Sequence, residues 1–343
     1  MEVRLARAVA FALVLAGVAS YGLASPAAIP SGWQVPGVVC WLEAGCPNAF
    51  FFATGSKGEG YILYRCGATR APVAMQRSDD LLLTLAVSPD SRQLLVTVST
   101  RDQVTGSRRR ETRWYEAGGS SLRLKRQYAN KVVLTGFWSW CAVWDAAGKH
   151  WLARTYPQEG LYYEIEGGPR PARLVGAADA RRLDRVWMAE SGDAAYGLLS
   201  NGTVLRITAG GARVVARSAA LTGLGERCWF AAQGEVLFAL TRASLIRVNV
   251  VRHSVECKPV PYAMTAAGGV GMRVVDSNRV VVGIIQESPE QSRFYLLDYR
   301  KAGARLVVTL DTRAIPFAAS RDRLWVTRYD SRTGTSWVSS YPL

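Results

Sequence analysis

Residues 83–99, LTLAVSPDSRQLLVTVS, decide how the rest of the chain is read. An apolar run ends at Val87, Ser88-Pro89-Asp90-Ser91 follows, and a second apolar run begins at Leu94. That tetrad is turn chemistry, because Pro presets φ and Ser and Asp side chains bond nearby backbone. Two strand-length apolar runs across such a turn predict a β-hairpin.

The hairpin recurs. Matching apolar–turn–apolar stretches start at Val38, Trp140, Val186, Cys228, Met272 and Ile315. Their turns fall near Asn48, Asp90, Ala147, Gly192, Gly234, Ser277 and Arg321, in steps of about 42–45 residues with one of about 57, the length of a four-stranded unit. A third strand follows each hairpin, for example GLYYEIEG from Gly160 or RFYLLDY from Arg293, and a more polar fourth strand usually follows that. The long step contains RDQVTGSRRRE, residues 101–111, which reads as an extended surface hairpin. Helical periodicity is weak and confined to residues 177–183.

The expected fold class is therefore all-β, a β-propeller of seven four-stranded blades in one domain over residues 28–343. The seventh unit ends at Leu343 after its third strand, so residues 29–35 are expected to supply the missing strand and remove a bare edge. Within this pattern AVSPDSRQLLVTVS, residues 86–99, resembles the Ser-Pro-Asp-Gly-Arg-x-Leu turn of WD40-like and TolB-type propeller repeats, with Ser91 at the usual glycine. AASRDRLWVTRY, residues 318–329, is a fainter echo. The Gly-His and Trp-Asp signatures of WD40 repeats are absent, apart from Trp144-Asp145 at a first turn. The resemblance implies the fold and transfers no function.

Residues 1–27 have a basic start at Arg4 and Arg7, an apolar run from Ala8, then small residues, the layout of a signal peptide or an uncleaved signal anchor. The expected location is extracytoplasmic, periplasmic or secreted. No cysteine follows the apolar run directly, which argues against a lipid anchor. Six cysteines then fall in an oxidising compartment, where Cys40 with Cys46 and Cys228 with Cys257 are the first pairs to consider among 15 connectivities.

The net charge of +15 attracts anionic partners. Only six of the 42 basic residues are Lys, and the arginines are scattered except at Arg108, Arg109 and Arg110. Together with Trp138 and Trp140 in the dense FWSWCAVW stretch, these are the candidate binding residues for a protein or an anionic polymer. Most tryptophans are expected to pack between blades: Trp41, Trp140, Trp187 and Trp229 from first strands, Trp114 and Trp337 from third strands.

Catalytic signals are thin. His150 and His253 are the only histidines and read as rim residues without partners for a triad. Glu43, Glu190 and Asp276 fall near the ends of first strands, where propellers line their channel, and are the candidate catalytic residues. Paired carboxylates are what glycan hydrolysis uses; the plainer alternative is solvated turn residues. No nucleotide, zinc or calcium motif occurs, and no cofactor or metal is expected. The expected function is a non-enzymatic exported binding or scaffold protein, with a glycan-processing hydrolase or lyase as the alternative.

Overall fold

The computed structural model describes residues 32–44, 49–56, 59–67, 71–88, 90–130, 140–144, 150–156, 160–165, 169–171, 174–175, 186–191, 194–199, 201–208, 211–222, 229–241, 244–260, 269–287, 290–312, 314 and 316–343. Residues 1–31 and 177–183 lie outside these, and with them the expected leader and the weak helical periodicity. No helix among the described residues is long and apolar enough to cross a membrane.

The described residues form seven sheets, preceded by β1 (Trp33–Pro36). The first sheet holds β2 (Val38–Ala44), β3 (Ala49–Ser56), β4 (Glu59–Gly67) and β5 (Val73–Ser78). The second holds β6 (Leu81–Val87), β7 (Gln93–Arg101), β8 (Arg108–Ala117) and β9 (Leu122–Asn130). The third holds β10 (Trp140–Trp144), β11 (His150–Tyr156), β12 (Gly160–Ile165) and β13 (Pro169–Pro171). In the fourth are β14 (Leu174–Val175), β15 (Val186–Ser191), β16 (Ala194–Leu199), β17 (Asn201–Thr208) and β18 (Gly211–Thr222). The fifth consists of β19 (Trp229–Gln233), β20 (Val236–Leu240), β21 (Ser244–Asn249) and β22 (Ser254–Pro259). The sixth consists of β23 (Gly269–Val274), β24 (Arg279–Glu287), β25 (Glu290–Asp298) and β26 (Ala304–Leu310). The seventh has β27 (Phe317–Ala319), β28 (Arg323–Asp330) and β29 (Thr335–Pro342).

Strands pair antiparallel in chain order within each sheet, with two exceptions. Strand β14 adds to the outer edge of the fourth sheet, parallel to β18. Strand β1 adds to the seventh, antiparallel to β29, in a register running from Trp33 opposite Val338 to Pro36 opposite Thr335.

Burial shows how the sheets stack. The second strands β16 and β20 are buried along their whole length, while no residue of the fourth strand β22 is buried. A strand buried on both faces must have a neighbour on each side. In β20, Val236, Phe238 and Leu240 pack against Met272, Val280 and Val282 of the sixth sheet. The alternate residues Leu237 and Ala239 pack against Tyr196, Leu198 and Val204 of the fourth. The strand's period of two thus divides its side chains between two cores. Similar cores join the first sheet to the second through Phe51, Leu63, Leu94 and Val96, and the sixth to the seventh through Val281, Phe294, Phe317 and Leu324. Trp325, Val338 and Val35 of the seventh sheet share a core with Val39, Leu42 and Phe52 of the first. The innermost strands also touch, β27 beside β2, β2 beside β6, and β10, β15, β19, β23 and β27 in succession.

Polar stitches link successive sheets, and cationic residues make several of them. Arg65 donates to the carbonyl of Gly118 at 2.9 Å, Arg247 to Ser277 at 3.1 Å, Lys258 to Asp298 at 3.1 Å and Arg279 to Arg321 at 2.9 Å. Each reaches from its own sheet to the next one in the chain. Part of the arginine content is therefore structural.

The turn at residues 88–91 shows why the sequence there is recognisable. The Ser88 hydroxyl donates to Asp90 Oδ1 at 2.6 Å, and that oxygen accepts the Arg92 N–H at 3.0 Å. Ser88 Oγ also accepts the Gln93 N–H at 2.9 Å. Ser91 is fully buried with φ of 59°, the left-handed region that glycine occupies without a Cβ penalty. That is the physical reason this turn usually carries glycine.

Cys40, Cys66 and Cys257 carry free thiols. Cys46 and Cys228, the partners considered for Cys40 and Cys257, lie outside the described residues. Cys66 is fully buried, and burial pushes its thiol well above the ordinary range.

Candidate functional site

The basic run is carried by the protruding end of the β7–β8 hairpin. Arg101 lies directly opposite Arg108, and Thr100 opposite Arg109. Arg101, Arg108 and Arg109 are exposed. The connecting loop is tied up by Asp102, whose N–H donates to Ser107 at 2.8 Å. Its Oδ1 accepts the N–H groups of Val104 and Thr105, both at 2.9 Å. Those two N–H donors hold the Asp102 carboxyl below the usual carboxylate range. The one acidic side chain of the loop is thus directed at backbone, and Arg101, Arg108 and Arg109 make no ion pair among the described residues. Like charges directly opposite on a ladder are unfavourable.

Charges nearer the base of the same hairpin are neutralised. Arg113 pairs with Asp80 at 2.8 Å and with Glu111. Arg123 and Lys125 both pair with Glu116. Uncompensated positive charge therefore concentrates toward the tip, beside Val104, which is 95% exposed. Arg110 sits opposite Ser99, and its side chain lies outside the described residues, as does that of Trp140 at the start of β10. Trp138 lies outside them altogether.

The three candidate carboxylates occupy inner strands or their turns. Glu43 pairs with Phe51 and Glu190 with Ala195, each one step before the last pair of its inner hairpin. Their side chains lie outside the described residues. Asp276 follows β23, beyond the last pair Val274–Val280, in the hairpin turn. The residue at the register place of Glu43 and Glu190 in the sixth sheet is Arg273, opposite Val281. Aligning the units by their turns singles out Asp276; aligning them by ladder register finds Arg273, a charge set between apolar neighbours in MRVV.

Asp276 has local work. Its Oδ1 accepts the N–H of Asn278 at 2.8 Å and of Arg279 at 3.0 Å, and its Oδ2 pairs with Arg279 Nε at 2.6 Å. Burial acts to raise its carboxyl, but the Asn278 N–H and the Arg279 guanidinium outweigh this and hold it below the usual range. A carboxyl lowered in the native state adds stability above its unfolded value, about 3.9, and that contribution is lost as pH falls through the native value. Asp276→Asn should therefore destabilise at pH 7, and its urea midpoint should converge on that of the unsubstituted chain as the pH is lowered toward 2. A gap that persists or widens in acid would remove the ion pair from the account.

His253 sits in the β21–β22 turn with φ of 50°, exposed, its Nδ1 3.2 Å from the Val215 carbonyl of the fourth sheet. His150 opens β11. Among the described residues, no three His, Cys, Asp or Glu side chains are grouped to hold a metal ion.

No family model matches the chain, and no curated protein matches it. Solved structures do. A chain of the mitotic checkpoint complex superposes with a TM-score of 0.56 at 13% identity, covering 93% of this chain and 97% of that one. The Cps50 (Swd1) β-propeller domain of Myceliophteria thermophila gives 0.56 at 11% identity, over 84% and 92%. Sqt1 of Saccharomyces cerevisiae gives 0.52 at 9% identity, over 92% and 100%. At such identities the likeness concerns the fold alone. In that sense the turn at residues 86–99 is a true sign: the chain has the fold of WD40-like β-propellers.

Proposed function

We propose that the chain is an exported, non-enzymatic binding protein, a closed seven-bladed propeller that docks an acidic protein surface or an anionic polymer on the tip of the β7–β8 hairpin. The observation that carries the docking is the facing pair Arg101 and Arg108 beside Arg109, exposed and without an ion pair among the described residues. An anionic partner relieves that repulsion and is held by several charges at once. Closure is supported by β1 on β29 and by the core shared between the seventh and first sheets. Export rests on the layout of residues 1–27. The alternative, a glycan hydrolase or lyase, draws support from the matching register of Glu43 and Glu190 alone.

Heparin serves as the probe. Replacing Arg101, Arg108 and Arg109 with Gln should lower the salt concentration needed for elution and weaken binding roughly tenfold at physiological salt, because fewer counterions are released. The same change in net charge made at Arg213, Arg217 and Arg252, on other sheets, should have little effect. Equal losses from both triplets would mean that only overall charge is sensed.

A further inference from the structure

Arg273 stands apart from the other part-buried cations. Arg65, Arg247, Arg279 and Lys258 each spend their donors on a neighbouring sheet. Arg273 donates Nη1 only to the carbonyl of Met272, its own neighbour, at 3.1 Å. Its Nε is buried and has no hydrogen-bond partner among the described residues. No acidic side chain among the described residues pairs with it.

The guanidinium is held in place from below. Its central carbon lies 5.4 Å from the centre of the Phe317 ring. That ring fits into a slot made by two glycines facing each other across β23 and β24: a Cβ at Gly271 would lie 2.8 Å from Phe317, and one at Gly283 2.9 Å. Three residues past Phe317, in the turn after β27, Ser320 Oγ is a second buried polar atom without a partner among the described residues. The same corner is pinned on its other side by Arg279, which donates to the carbonyl of Arg321. Asp276 is the acidic group closest in sequence, and it is committed to Arg279.

Two buried donor atoms without a partner among the described residues, Arg273 Nε and Ser320 Oγ, thus belong to adjoining inner elements at the turn end of the sixth and seventh sheets. Buried donors are almost always satisfied, so an unpaired one marks the place of a missing acceptor. What the corner lacks is an acceptor with negative charge. We propose that Arg273 and Ser320 bind an oxyanion, the carboxylate or phosphate group of a ligand entering at the inner-strand turns of the sixth and seventh sheets. The rigid, planar guanidinium suits such a group, since it offers parallel N–H donors to two oxygens. This site is separate from the β7–β8 hairpin, and either can fail without the other.

The test is thermal unfolding of the full chain in inorganic phosphate or in acetate, at ionic strength held constant with chloride. At least one anion should raise Tm saturably. Phosphate alone points to a phosphorylated ligand, and acetate as well points to a carboxylate. Arg273→Gln and Ser320→Ala should each weaken the apparent affinity for that anion roughly tenfold, as expected for a lost charge-assisted hydrogen bond. Arg252→Gln, on the exposed β21–β22 turn, should leave it unchanged. If Arg273→Gln fails to fold, Ser320→Ala carries the comparison. No saturable shift beyond chloride, or a shift retained in the Ser320→Ala protein, overturns the site.

Discussion

Val35→Asp is expected to cost about 3–5 kcal/mol of stability, the range for a charge left buried without a partner. Val35 is 4% exposed and lies in the core shared by the seventh and first sheets, with Trp325, Val338, Leu42 and Phe52 around it. The strand that carries it is held by more than its ladder. Ser336 Oγ donates to the carbonyl of Gly37 at 2.7 Å and accepts the N–H of Val39 at 3.2 Å, and the Gly37 N–H reaches Gly334 at 3.0 Å. Gln34 bonds Thr335 across 301 residues of chain, and closing a loop that long costs about 5 kcal/mol by the logarithmic law. Packing at Val35 is part of what offsets that cost. Gln34→Asp, at an exposed position of the same strand, should stay within about 0.5 kcal/mol, as for ordinary surface changes. Urea titration of both variants decides the matter, and similar losses at Val35 and Gln34 would show that β1 does not pack as described.

Trp325→Ala should be comparably severe, about 3–5 kcal/mol, the usual range for removing a large aromatic from a core. Trp325 is fully buried on β28 and packs in the same core as Val35. Its loss leaves a cavity bounded by two sheets, and collapse would require one sheet to move against the other. Trp325→Phe fills most of the volume and should recover much of the loss. Because Val35 and Trp325 belong to one cluster, the double variant should lose less than the sum of the two. Additive losses would place the two residues in independent environments.

The sequence makes the hairpins legible because each is a local statement. An apolar run, a turn that bonds its own backbone and a second apolar run are complete within about twenty residues, as Ser88 and Asp90 illustrate. The extended hairpin at residues 101–108 is legible for the same reason. Register is less so, since it depends on pairing. Asp276 looks equivalent to Glu43 and Glu190 when units are aligned on their turns, yet the ladder gives that place to Arg273. Nor does sequence separate arginines that donate to a neighbouring sheet from one that does not: Arg247 and Arg273 both sit among apolar residues in strands. Only the arrangement of sheets tells them apart. The two-residue β14, parallel to β18, carries too little pattern to be found at all.

The latches between sheets also bear on how such a chain can change over generations. Arg65, Arg247, Lys258 and Arg279 are received by the carbonyls of Gly118, Ser277, Asp298 and Arg321. A backbone carbonyl is present whatever side chain the position carries. The receiving half of each latch therefore places almost no demand on residue identity, and substitutions that leave the backbone path intact can accumulate there without loosening the joint. Drift of that kind erases the likeness between repeats while the stack of sheets persists. A chain with one recognisable turn, no matching family model and a widely shared fold is the expected product.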